Sequence, residues 1–171
     1  MRYEPIMALP YLSFCALLEM IIRAEHKNGP NQIEIAEYLG IHIPPEYEDL
    51  RISNVHHTPD SRKWGTMGND TDINNLFQDY SIPLKEFFLS STLFEDWSFE
   101  DKIENLISES AHVICGYSAQ TLRTQHEGDS SQSNYGHAVV ILDIKSSGGL
   151  EKDITLYDPG PDGHGIHQIR G

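Results

Sequence analysis

At Ala111 the chain exchanges one hydrophobic rhythm for another, and that exchange limits its architecture more than any other feature. Before it, apolar residues recur at the three- and four-residue intervals of helices: Leu17, Leu18, Ile21 and Ile22, then Ile33, Ala36, Tyr38 and Leu39, then Ile73, Leu76, Phe77 and Tyr80, then Phe99, Ile103, Leu106 and Ile107. After it come short runs of β-branched and aromatic residues at 111–117, 138–144, 154–157 and 166–169, separated by Gly, Ser, Asn and Asp clusters. Helices first and strands last predicts an α+β fold, with N-terminal helices packed on a C-terminal antiparallel sheet. The 171 residues suffice for one domain, 1–171, and are too few for two comfortable ones.

Starts and stops refine this. Ser13 reads as the N-cap of the first helix and Gly29-Pro30 as the end of its run. Pro30-Asn31 opens the second helix, Gly40 stops it, and a helical hairpin results. Thr71-Asp72 caps the third, and Ser98-Phe99-Glu100-Asp101 resembles a capping box with Asp in place of Glu. Residues 82–89 alternate as a strand would. Residues 42–70, which hold His56, His57 and Trp64, and the polar residues 118–135 are expected to be long loops of the functional kind.

Twelve basic residues against twenty-six acidic give a net charge of -14, a field that repels phosphate backbones and anionic membranes. No nucleic-acid partner is therefore expected, and a basic peptide or amine suits the chain better. No apolar run reaches the roughly 20 residues of a membrane span, and no basic-then-apolar leader opens the sequence. A soluble, cytoplasmic protein of unassigned oligomeric state is the expectation. The two cysteines, Cys15 and Cys115, are too few for a disulfide scaffold. His164 and His167 with Asp162, or His56 and His57, match no zinc spacing, so neither a metal nor another cofactor is expected. Trp64 and Trp97 suit either a substrate groove or partial burial.

Chemistry gathers at three places. Cys15 falls in the first turn of a helix, where unpaired N–H groups and the positive end of the dipole favour thiolate over thiol. His137 opens the most hydrophobic strand between the small residues Gly136 and Ala138, and Asp158 ends the next strand in Leu156-Tyr157-Asp158-Pro159-Gly160. If these strands are antiparallel neighbours joined by a turn at 146–149, His137 and Asp158 share one end of the pair. The carboxylate would then fix the imidazole tautomer and leave the other nitrogen to take the Cys15 proton. Each residue also has a plainer reading: a core thiol, a strand-end histidine bonded to a carbonyl, a turn aspartate before proline. Cys115, in Val113-Ile114-Cys115-Gly116, is most simply a core residue.

Cys15 at a helix start, the helix from Asn31-Gln32 to Leu39-Gly40, Gly136-His137-Ala138-Val139-Val140 and Tyr157-Asp158-Pro159 together resemble papain-like cysteine peptidases of the double-glycine, bacteriocin-leader-processing kind. The resemblance implies a papain-like fold, Cys15 as nucleophile, His137 as general base and acid, and Asp158 as its orienter. Peptide or amide cleavage through a thioacyl intermediate follows, with acyl transfer to an amine or thiol as a sister outcome, and a binding module that has lost turnover as the alternative from another class. Two positions depart from the family. Its oxyanion glutamine falls at Leu9 or Pro10, neither with a side-chain donor, a loss worth roughly 10²–10³ in rate; the Cys15 backbone N–H, or a loop donor such as Asn54, Gln120 or Gln125, is left to serve, and nothing in the sequence selects one. Its usual glycine after the cysteine is Ala16. The chain stops soon after the Asp-Pro strand, so a final element of the family fold is expected to be missing.

Overall fold

The computed structural model describes residues 3–9, 12–41, 43, 70–83, 99–118, 136–146, 152–160 and 164–170. Helices α1 (Ser13–Glu25), α2 (Gln32–Tyr38), α3 (Asp70–Asp79) and α4 (Phe99–Ser108) precede strands β1 (Val113–Ser118), β2 (Gly136–Ser146), β3 (Lys152–Asp158) and β4 (Gly165–Arg170). The strands form one antiparallel sheet in the order β1-β2-β3-β4. The α+β class and its order along the chain are as the two rhythms require.

The helices do not all lie on one side of the sheet. Ala138, Val140 and Leu142 of β2 belong to the cluster centred on α1, whereas Ile141 and Ile144 face Ile103 of α4. The register slips between Ile141 and Asp143, so the second set is spaced by three residues instead of two. That bulge lets Ile144 join Ile141 in the cluster with α4. The central strand is therefore sandwiched, and the inward residues of both faces count towards the core.

Helix α1 is the centre of the larger core. Every residue from Cys15 to Ile22 is buried, so the helix is apolar nearly all round and has no solvent face there. Its far end is tied down by a relay. The Glu25 carboxylate accepts from His112 Nε2 at 2.9 Å, which leaves His112 Nδ1 to accept from the Tyr3 hydroxyl at 2.6 Å.

Three helices end in the same way. Ile41 N–H returns to Ala36 O and Gly40 N–H to Glu37 O after α2; Ile82 and Ser81 repeat this after α3, and Ala111 and Ser110 after α4. Each turn needs a positive φ, found at Gly40 (65°), Ser81 (55°) and Ser110 (65°). Only the first position has the residue that adopts this conformation without cost.

Several expectations change. Ser13 is the first residue of α1 and not its cap: Leu12 is the N-cap, makes no side-chain cap bond, and its carbonyl accepts from Ala16 N–H. Asn31 does cap α2, accepting from Ile33 and Glu34 N–H while the Glu34 carboxylate accepts from Asn31 N–H. Tyr38, expected on the apolar side, is exposed, and its hydroxyl donates to Asp79. Helix α3 begins at Asp70, before the proposed Thr71-Asp72 cap. Ile82 and Pro83 are not in a strand; the rest of that proposed strand, the proposed cap Ser98, and residues 44–69 and 119–135 lie outside the described residues. Among the described residues no helix is long and apolar enough to cross a membrane.

Candidate functional site

Cys15 occupies the third position of α1, in the first turn, as its sequence context requires. The expected consequence for its acidity does not follow. The residue is 1% exposed, and burial pushes the thiol far above its ordinary value against the opposing pull of its own backbone N–H. The helix start is present, but it lies inside the core.

Strands β2 and β3 are antiparallel neighbours with Val140 opposite Tyr157. His137 lies three residues before Val140, opposite Tyr117 of β1, and Asp158 lies one residue after Tyr157, so both fall at the same end of the strand pair. Cys15 belongs to the packed cluster that contains Ala138 and Tyr157, the chain neighbours of His137 and Asp158. The first turn of α1 and the strands β2 and β3 thus share one core.

Asp158 is 9% exposed and pairs with Gly165. Its Oδ1 accepts from Gly160 N–H at 2.7 Å, the bond of an Asx turn across Pro159. The plainer reading of this residue is therefore realised for one of its two oxygens. Beside it, the Tyr157 hydroxyl donates to Ile6 O at 2.9 Å and lies 2.8 Å from His164 Nε2. A hydroxyl has one proton, so with that proton on Ile6 the imidazole is the donor in the second bond.

Of the two positions, Leu9 and Pro10, that the resemblance gives to an oxyanion glutamine, Pro10 lies outside the described residues and Leu9 is met by a glutamine amide from elsewhere. Gln32, on α2, accepts from Leu9 N–H through Oε1 at 2.8 Å and donates from Nε2 to Met7 O at 3.1 Å. Its backbone N–H donates to Glu19 Oε2 at 2.7 Å, and Glu19 Oε1 pairs with Arg23 at 2.6 Å. Sequence reasoning missed this network. Its signal was a single carboxylate, Glu19, inside a stretch otherwise apolar from Ala16 to Ile22.

Cys115 is half-buried against the smaller core, and burial pushes its thiol up to about 11. His167, paired across the sheet with Leu156, is exposed. Among the described residues no group of three or more His, Cys, Asp or Glu side chains is placed to hold a metal ion. His56, His57, Asp162, Trp64, Trp97, Asn54, Gln120 and Gln125 lie outside the described residues. Compared with known proteins, the chain matches no family model, no curated protein and no solved structure.

Proposed function

We propose that the chain is a cysteine-dependent hydrolase of papain-like fold that cleaves a peptide or amide bond, with Cys15 as nucleophile, His137 as general base and acid, and Asp158 as orienter. The observation that supports it is the antiparallel register with Val140 opposite Tyr157, which sets His137 and Asp158 at the same end of the strand pair, together with the place of Cys15 in the first turn of a helix. In the reaction the Cys15 proton passes to the imidazole and the sulfur bonds to the substrate carbonyl carbon. The C–N bond breaks as the imidazolium protonates the leaving amine. Water, deprotonated by the same imidazole, then cleaves the thioester and restores the thiol. The net charge of -14 favours a basic peptide as substrate. Two free cysteines suit a reducing, cytoplasmic setting.

A second reading, a binding module without turnover, is favoured by the burial of Cys15 and the upward push on its thiol. A thiol-directed probe separates the two. Selective labelling of Cys15 over Cys115, lost on His137→Ala, together with hydrolysis abolished by Cys15→Ser in a folded chain, is the expected result. Hydrolysis that survives Cys15→Ser removes Cys15 from the mechanism, and equal or absent labelling leaves the binding module.

A further inference from the structure

Residues 6–9 precede α1 in the chain and are held along both edges. Their even members bond to the end of β3: Ile6 O accepts from the Tyr157 hydroxyl at 2.9 Å, and Ala8 N–H donates to Pro159 O at 2.7 Å. Their odd members bond to one side chain, the Gln32 amide, through Met7 O and Leu9 N–H. Leu9 O then accepts from Leu12 N–H at the turn into α1, and Ile6 and Leu9 pack on the cluster that contains Cys15. Ala8 is 3% exposed while Met7, next to it, is 58% exposed, so the segment is one chain thick between solvent and core.

We propose that residues 6–9 are a strap closed over the Cys15 end of α1, latched by the Gln32 amide on one edge and by Tyr157 and Pro159 on the other, and that its release exposes the thiol. Three of the four latching bonds come from two side chains on separate elements, so the strap can open without unfolding α1 or the sheet. Gln32 and Tyr157 are positioning residues in this device. The inference rests on the reading of Cys15 as the reactive thiol.

The test uses the full chain and iodoacetamide, with Cys15 and Cys115 resolved by peptide mass. Tyr157→Phe, which removes one latching bond, raises the Cys15 alkylation rate about fivefold, and Gln32→Ala, which removes two, about twenty-fivefold. Cys115, in the smaller core, keeps its rate. Hydrogen exchange on the unsubstituted chain is the second measurement: the Ala8 and Leu9 amides exchange faster than those of Leu18 to Ile22. An unchanged Cys15 rate in both variants, a rise shared equally with Cys115, or Ala8 and Leu9 amides as slow as the α1 core overturns the strap. Neither readout needs a substrate. A strap that opens in a chain that never hydrolyses fails the enzymatic reading alone, and hydrolysis by a chain whose latch variants label like the parent fails the strap alone.

Discussion

Glu19 is the place where a single substitution tests the packing and the polar network together. It is 4% exposed, in the middle of the buried run of α1. Its Oε2 accepts from the N–H of Gln32, the first residue of α2 and one of the donors that helix cannot satisfy internally. Glu19→Ala leaves that buried N–H unpaired and removes a charge-assisted bond, a cost of about 3 kcal/mol. In a chain of 171 residues this lowers Tm by roughly 6–12 °C. Glu19→Gln keeps an oxygen for the Gln32 N–H in a side chain of the same shape, so its cost is at most about 1 kcal/mol. The pH dependence has a definite sign. Burial pushes the carboxyl above its ordinary 4.5, with Arg23 opposing, so the folded chain holds the proton more tightly than the unfolded one. Such a group contributes fully below about pH 4 and loses its contribution as pH rises through the raised value. The advantage of the parent over Glu19→Gln is therefore largest in acid and declines to a plateau towards neutrality. Urea denaturation of the three proteins from about pH 4 to pH 8 measures it. A cost below about 1 kcal/mol for Glu19→Ala, or an advantage that grows with pH, refutes the account.

Gly29→Ala places a Cβ 2.6 Å from Ile22 Cγ2, a branched side chain with no exposed surface, and costs about 1–3 kcal/mol in chemical denaturation. A neutral result would mean that the end of α1 is looser than its packing implies. Ser110→Gly relieves a positive φ at an exposed helix end and stabilises by about 1 kcal/mol, read as a rise of roughly 2–4 °C in Tm. Ser81→Gly does the same after α3, and a fall in either case contradicts the shared helix ending.

The order of elements was legible because period-2 and period-3.6 patterns are set by residues that the fold must bury. The end of α2 was legible because Gly40 is the residue a positive φ selects, and the matching ends at Ser81 and Ser110 were not, because serine carries no such signal. Ser13 looked like a cap from its hydroxyl alone, yet the cap is fixed by which carbonyl accepts the first helical bond, and that is Leu12. The common end of His137 and Asp158 followed from reading two adjacent strands as an antiparallel pair. Two features belonged to tertiary packing. One is the covering of both sheet faces, which depends on the Ile141/Asp143 slip; the other is the Gln32 clamp, which joins residues about two dozen positions apart.

Cys15 shows which of two opposing effects decides an acidity. A helix start favours an adjacent anion by about 0.3–1 kcal/mol, or about 2 in a partly buried geometry. Burial shifts a pKa by up to about 3–5 units, at about 1.4 kcal/mol per unit, and so outweighs the helix by a factor of about two or more. Position along the chain gives the sign of the smaller effect, and packing gives the larger. A thiol held in this way forms a thiolate when an imidazolium lies beside it or when its cover opens, and the two routes depend on different residues. The first requires His137 and disappears in His137→Ala whatever the strap does. The second requires release at Gln32 or Tyr157 and persists without the histidine. A Cys15 alkylation rate that rises in Gln32→Ala and is indifferent to His137→Ala describes a core thiol under a strap, the binding module's condition. A rate that rises in Gln32→Ala and falls again in the double substitution describes a nucleophile with its base, which the strap keeps waiting.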